Sequence, residues 1–517
     1  MPADSTPSKS ARTQLTDKPK LSLKPASANK TASANKKSGA RKTGGANKTS
    51  GAKSPAGKPT ANRSGAKKAF TKPAKTIRPS KLARKETVAR VVASRRVCFD
   101  VLVAVAEGAQ LDVAMSGNAD LDSLEDRDRR FVQMLATTCL RRRGQLEKTI
   151  APMMARRPFG AQENANIIMT MGAAQLLILK TEAHAAVDST VELMREAGFD
   201  RLTGMANAVM RRLTREGEAR FATTTPIDNL PDWLNSSWQA KYGADVTAAL
   251  TALSMDVPPL DITPRGDASE WAERLDGKLI NGVTIRREFD GDLTRLDGFA
   301  EGQWWVQDAA AALCATLFGD IAGKEVIDLC AAPGGKTAQL IAAGANVTAI
   351  DNGRKRIDRL RRNLTRLKMK ANLVYGDGRT HQPEQLVDHI LLDAPCSATG
   401  TLRRRPDILG RRTPENISDL QAIQWDLATT ALGWLKPGGT MIYATCSLQA
   451  EEGEDMIAAI LDAAKGGFAL DPITPEQAGE FARSISDQGT MRIIPSDYAD
   501  IGGVDGFYIA RLKSSST

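Results

Sequence analysis

Histidine and aromatic residues are scarce in this chain: three histidines, and 5% Phe, Trp and Tyr, in 517 residues. The length of 517 residues rules out a disulfide mini-scaffold, and the six cysteines (Cys98, Cys139, Cys314, Cys330, Cys396, Cys446) contain no C-x-x-C pair, which fits a reducing compartment. His381 and His389 are not at ligand spacing, so no metal is expected. Apolar runs such as Ala173–Leu179 fall short of the roughly 18 residues of a membrane span. The first 30 residues hold no apolar secretory segment. The expectation is a cytoplasmic protein with no membrane partner. Neither G-x-x-x-x-G-K-[ST] nor G-x-G-x-x-G occurs, which speaks against nucleoside triphosphate and dinucleotide chemistry.

Acid is what the N-terminal stretch lacks. Residues 1–80 carry 19 lysines and arginines against 2 acids, a surplus of 17, whereas the remaining 437 residues carry 52 against 58. Residues 1–84 are built from Ala, Lys, Ser, Thr, Gly, Asn and Pro, with Phe70 as their single aromatic, and are expected to form a disordered basic tail. Such a tail serves either solubility or the binding of RNA phosphates. At about 100 to 200 residues per domain, the length predicts two to four domains.

Cys98, Val101, Leu102 and Val105, like Ile167, Met171, Ala174 and Ile178, recur at spacings of three and four, which predicts an all-helical domain over residues 85–225. Arg211 and Arg212 are candidate RNA contacts, with a solvated helix face as the alternative. Together with Asp126–Val132, Gly172–Leu177 and Ala183–Asp188, the segment Asn207–Leu213 resembles the NusB family of helical RNA-binding domains. His184 is expected to pack or cap rather than bind metal. Residues 226–300, punctuated by Pro231, Pro258, Pro259 and Pro264, read as a small connecting subdomain of no legible function.

Over residues 301–517, strands at Glu325–Leu329, Val347–Ile350, Leu373–Tyr375, His389–Leu392 and Thr440–Ala444 alternate with helical segments. This rhythm predicts a doubly wound, Rossmann-like α/β sheet with ligands beyond the strand ends. The first strand runs into Cys330, Ala331, Ala332, Pro333, Gly334, Gly335 and Lys336, a glycine turn ahead of a helix. Asp351 ends the second strand and can accept from a ribose diol; Asp377 follows the third and can accept from an adenine amino group. These positions describe a nucleoside-bearing cofactor, and S-adenosylmethionine fits them better than a dinucleotide.

The fourth strand ends in Asp393-Ala394-Pro395-Cys396 and the fifth in Thr445-Cys446, so two cysteines project from one rim. Cys98, Cys139 and Cys314 read as small buried apolar residues. Two thiols beside a methyl donor suit transfer to carbon 5 of a pyrimidine, where one thiolate adds to carbon 6. The other is then placed to assist release. Lys336 is the nearest cation to favour a thiolate, and Asp393 can bond the cytosine edge. Amino-group methylation would call for Pro-Pro and an aromatic after the acid, and Asp393 is followed by Ala-Pro-Cys. Arg403, Arg404 and Arg405 read as phosphate contacts, or else as a solvated charge run.

Residues 301–512 resemble the catalytic domain of the Nol/Nop/Sun family of RNA cytosine-5 methyltransferases. Cys330–Lys336, Asp351, Asp377, Asp393, Cys396 and Cys446 occupy that family's motif positions, and Asp505-Gly506-Phe507-Tyr508 its closing strand motif. The resemblance implies a cofactor held by Cys330–Lys336, Asp351, Asp377 and Asp393, with Cys446 as nucleophile and Cys396 assisting release. It further implies a monomer acting on small-subunit (16S) ribosomal RNA. An RNA-binding or assembly protein with an inactive methyltransferase fold, or a transfer RNA methyltransferase, are the alternatives. Both cysteines, the lysine and the three acids standing together favour the enzyme.

Overall fold

The computed structural model describes residues 81–289 and 291–515. The tail over residues 1–80 lies outside the described residues. Helix begins at Lys81, four residues earlier than the sequence suggests, and runs to Ala106.

The N-terminal domain is helical, with its core around Ala165–Leu177. That helix contains no charged residue and is buried almost all round, as an apolar helix without a polar face must be. Gly172 lets its neighbours approach closely: a Cβ there would lie 2.6 Å from Thr190 Oγ1 and 2.8 Å from Met210 Sδ. Helix Asp126–Arg141 turns Val132, Leu135, Ala136 and Cys139 into the same core and leaves Arg127 and Arg130 outward. Cys98 is buried there too. His184 neither packs nor caps; it is exposed in the first turn of helix Ala183–Glu196, whose preceding residue is Glu182.

The connecting region opens with helices Asp232–Tyr242 and Ala244–Leu253. A four-stranded antiparallel sheet follows, in the order β2-β3-β1-β4, with β1 Leu260–Pro264, β2 Lys278–Ile280, β3 Thr284–Arg287 and β4 Trp304–Val306. This sheet runs past residue 300, because Trp304 and Trp305 pair with Pro264 and Thr263 of β1.

The larger sheet has β5 Glu325–Leu329, β6 Asn346–Asp351, β7 Asn372–Tyr375, β8 Val387–Asp393, β9 Leu435–Thr445, β10 Phe468–Leu470, β11 Met491–Ile493 and β12 Phe507–Ser514. Its order is β10-β12-β9-β8-β5-β6-β7, with β11 paired to β12. The run β7-β6-β5-β8-β9 is parallel throughout. Strand β12 lies antiparallel between β9 and β10, so the doubly wound sheet is closed by an antiparallel margin. Strand order reverses at β5, whose neighbours are β6 and β8, and a crevice opens beyond the carboxyl ends of the strands there. Among the described residues, no helix is long and apolar enough to cross a membrane.

Candidate active site

Five chemistry-bearing turns leave the carboxyl ends of β5, β6, β7, β8 and β9. After β5 the chain turns at Cys330 with φ +64° and at Gly334 with φ +106°, then enters helix Gly335–Ala342. Both φ values lie in the left-handed region, where glycine alone carries no steric cost. A Cβ at Gly334 would also run into Leu360 Cδ1. The glycine therefore serves close packing on the neighbouring helix. Ala331 N donates to Ile350 O at 3.1 Å, and Asn363 Nδ2 donates to Pro333 O at 2.8 Å, pinning the turn against β6 and the following helix.

Asp351 ends β6 with its side chain buried. Its carboxylate accepts from Ala332 N at 3.2 Å and Gly353 N at 2.8 Å and pairs with Arg356 Nε at 2.9 Å. Asp377 faces the same cleft, gripped by Arg379, whose Nη2 donates at 2.6 Å. That grip holds the Asp377 carboxyl below its ordinary range. Leu329, Cys330, Ile350, Pro395, Ile423 and Leu427 supply apolar walls between the two acids. Apolar walls with a carboxylate at either side fit a nucleoside, so the residues present are suited to the adenosyl part of S-adenosylmethionine. Burial pushes the Cys330 thiol up, with Asp351 and Asp393 adding to it, so Cys330 is a wall and not a nucleophile.

At the neighbouring strand ends the remaining residues meet. Cys396 Sγ and Cys446 Sγ are 3.5 Å apart. The hydrogen bond with Cys446 and burial push the Cys396 thiol well above its ordinary value, which keeps it an S–H donor. Lys336 Nζ donates to Asp393 Oδ2 at 2.8 Å and lies 5.1 Å from the centre of the Phe507 ring. Burial works against the ammonium, but Asp393, Cys314 and Cys446 around it outweigh burial and raise its pKa. The lysine thus has Asp393 as its direct partner and acts on Cys446 as a nearby charge. Among the described residues, no group of three or more His, Cys, Asp or Glu could hold a metal ion.

The predicted arginines divide. Arg403 is 2% exposed, with Nη2 on Gly502 O at 2.7 Å. Arg404 is paired with Asp308 at 2.9 Å, Asp505 at 3.4 Å and Asp261 at 3.5 Å. The structure corrects the reading of these two as phosphate contacts: Arg403 is buried against a carbonyl, and the half-buried Arg404 spends its charge on buried carboxylates. Arg405 is half-buried, and its guanidinium has no partner among the described residues. Arg211 is exposed on helix Thr203–Phe221, while Arg212 is drawn to Glu216 at 3.1 Å. Neither is brought to the cysteines.

Sequence reasoning missed the supports of this rim. Helix Asp232–Tyr242, from the region of no legible function, sends Trp238 Nε1 to Gln449 Oε1 at 2.8 Å and Tyr242 OH to Leu448 O at 2.5 Å. Leu230, Leu234, Trp238 and Leu250 share one apolar cluster with Ala398, Leu402 and Leu448, so the connecting helices buttress both cysteine turns. Arg412 reaches Ser397 O at 3.0 Å and Cys396 O at 3.3 Å, and Arg492 bonds Ser447 O. Proline spacing shows only that this region is punctuated, since its contacts reach about 200 residues along the chain.

Comparison with known proteins places the chain in a family. Residues 317–513 match the family described as 16S rRNA methyltransferase RsmB/F, and residues 92–215 match the NusB family. The ribosomal RNA small subunit methyltransferases B of Salmonella paratyphi A and Salmonella typhi are each 34% identical over 404 residues, 75% of this chain and 91% of theirs. The crystal structure of PH0851 superposes with a TM-score of 0.68 at 20% identity, covering 82% of this chain and 99% of that one, a likeness of fold. With a NusB segment ahead of the methyltransferase segment and relatives matched over nearly their whole length, the chain belongs to the ribosomal RNA small subunit methyltransferase B family.

Proposed function

We propose that this protein methylates carbon 5 of a cytosine in small-subunit (16S) ribosomal RNA, working as a cytoplasmic monomer. The observation that carries this reading is the pair of sulfurs 3.5 Å apart beside both the Lys336–Asp393 pair and the nucleoside cleft. S-adenosylmethionine, bound between Asp351 and Asp377, supplies an electrophilic methyl group.

Cys446 acts as nucleophile. Its thiolate adds to carbon 6, and the electron pair of the 5,6 double bond becomes available at carbon 5 for the methyl group. Asp393 bonds the cytosine edge and Lys336 holds that carboxylate in place. When the carbon-5 proton passes to a base such as water, its bonding pair restores the double bond and the carbon–sulfur pair leaves with Cys446. Cys396, kept as a thiol, donates its S–H to the departing sulfur. The target base must be unstacked to admit both the thiolate and the methyl donor, which suits a loop or junction in folded RNA.

RNA contact in this reading falls to the exposed Arg211, the half-buried Arg212 beside its glutamate and Arg405, and the helix Arg354–Arg366, which has seven cations against the single acid Asp358. The test is bisulfite sequencing of ribosomal and transfer RNA from cells lacking the gene. One 16S cytosine should lose its modification. Loss confined to transfer RNA would move the substrate, and no loss in either would support the inactive assembly factor.

A further inference from the structure

We propose that Glu452 is a positioning residue for this methyl transfer, its buried carboxylate joining the turns that carry Cys396 and Cys446 and holding their sulfurs within reach of one another. The inference rests on the cytosine reading above. Glu452 lies in the short helix Ala450–Glu452 and is fully buried. Its Oε1 accepts from Ser397 N at 2.8 Å and from Gln424 Nε2 at 3.0 Å. Its Oε2 accepts from Ser447 Oγ at 2.5 Å and from Ser397 Oγ. Ser397 directly follows Cys396, and Ser447 directly follows Cys446.

The sheet alone does not set the distance between the sulfurs. Strands β8 and β9 keep register to Asp393 and Ala444, Ala394 N reaches Ala444 O at 2.9 Å, and the next backbone link is Gly400 N to Cys446 O at 3.0 Å. Between these two points the turns are joined by side chains. Ser397 Oγ lies 3.0 Å from Ser447 Oγ, and both hydroxyls converge on Glu452. Gln424 extends the joint by donating to Pro395 O at 2.9 Å, one residue before Cys396. A buried acid is an expensive way to hold two turns together if packing were the whole purpose, since apolar side chains of similar volume do so without desolvating a charge. Four converging donors fill the acceptor positions of the carboxylate, as burial of a charge requires.

The same charge has a second effect. Cys396 is surrounded by Cys446, Glu452 and Asp393, with Arg412 and Tyr443 also close enough to interact electrostatically. The hydrogen bond with Cys446 and burial contribute most to keeping Cys396 protonated, and Glu452 adds to them.

The experiment uses the full chain, S-adenosylmethionine and a small-subunit ribosomal RNA fragment, and measures kcat, both KM values, the pH profile of kcat and thermal unfolding. In Glu452→Gln the two serine hydroxyls can turn to accept from the amide, so the turns stay joined while the charge is lost. This variant should lose about tenfold in kcat with both KM values unchanged, and its alkaline limb should move to lower pH as Cys396 gives up its proton sooner. Glu452→Ala breaks the joint and should lose at least about 100-fold in kcat. Wild-type kcat and pH profile in Glu452→Gln would overturn the role, as would losses in both variants that merely track the unfolded fraction. Absence of 5-methylcytosine from the wild-type reaction would overturn the cytosine reading and this role with it.

Discussion

Asp328 stands one residue before the end of β5, fully buried, with Oδ2 accepting from Thr337 Oγ1 at 2.5 Å. Its Oδ1 has no partner among the described residues. Burial pushes its carboxyl up to about 7, against the Thr337 hydrogen bond, with Asp393 raising it further. The folded protein therefore keeps this proton between the unfolded value of 3.8 and about 7, where the unfolded chain has already lost it. Folded chains bind more protons than unfolded ones in that window, so this group's contribution falls as pH rises through it. Replacing Asp328 with Asn removes the dependence. Relative to Asp328→Asn, the wild type should lose on the order of 1–4 kcal/mol between pH 4 and pH 8. Denaturant unfolding across that range reads the difference, and parallel stability curves would contradict it. Asp328 thus holds the cofactor turn through Thr337 at a cost in stability that grows toward neutral pH.

At the scale of elements, helix Arg354–Arg366 concentrates charge that the rest of the described body does not have. Ile357, Leu360 and Leu364 face the core, and Lys355, Arg359 and Arg362 follow one another at spacings of four and three on the opposite side. Like charges so placed repel, typically by a few tenths of a kcal/mol per pair, which a helix serving only solubility would avoid by mixing signs. Lys355, Arg362, Lys368 and Lys370 are exposed and have no ion pair among the described residues. Changing these four to Gln should weaken binding of a ribosomal RNA fragment and flatten the salt slope by roughly 0.7 to 0.9 for each phosphate that is no longer neutralised. Cofactor affinity should stay as it was, because none of the four lines the cleft. Equal slopes for variant and wild type would assign the helix to solvent.

The same elements show how far the sequence could be read. The five parallel strands were legible because each is an apolar stretch set between helical segments, and the acids and cysteines at their ends were legible because chemistry demands them there. Strands β10 and β11, of three residues each, carry too little pattern to recognise. The fate of Arg403 and Arg404 was hidden for another reason. A run of three arginines looks solvated until Asp261, Asp308 and Asp505 arrive from distant parts of the chain to pair with Arg404, and Gly502 O comes to meet the buried Arg403.

At the scale of the whole molecule, the helical domain and the connecting region are built into the methyltransferase. Arg141 Nη2 of the helical domain donates to Arg403 O at 2.9 Å, Arg411 Nε donates to Gly108 O at 3.1 Å, and Arg359 pairs with Asp112 at 3.2 Å. The small sheet is tied in by the buried pair Arg286–Asp261 at 2.6 Å, with Arg286 Nη1 also on Gly503 O at 2.6 Å. The helical domain, the connecting region and the methyltransferase sheet are therefore one connected frame, in which the cysteine turns rest on helices of the connecting region. The proposed reaction turns on the division of labour between the two sulfurs. Its most direct test is denaturing gel analysis of the full chain reacted with S-adenosylmethionine and a small-subunit ribosomal RNA fragment, comparing Cys396→Ala with Cys446→Ala. Cys396→Ala should accumulate a slow-migrating, ribonuclease-sensitive covalent complex, and Cys446→Ala should form neither complex nor product. A complex formed by Cys446→Ala, or methylation surviving in it, would contradict the assignment of Cys446 as the nucleophile.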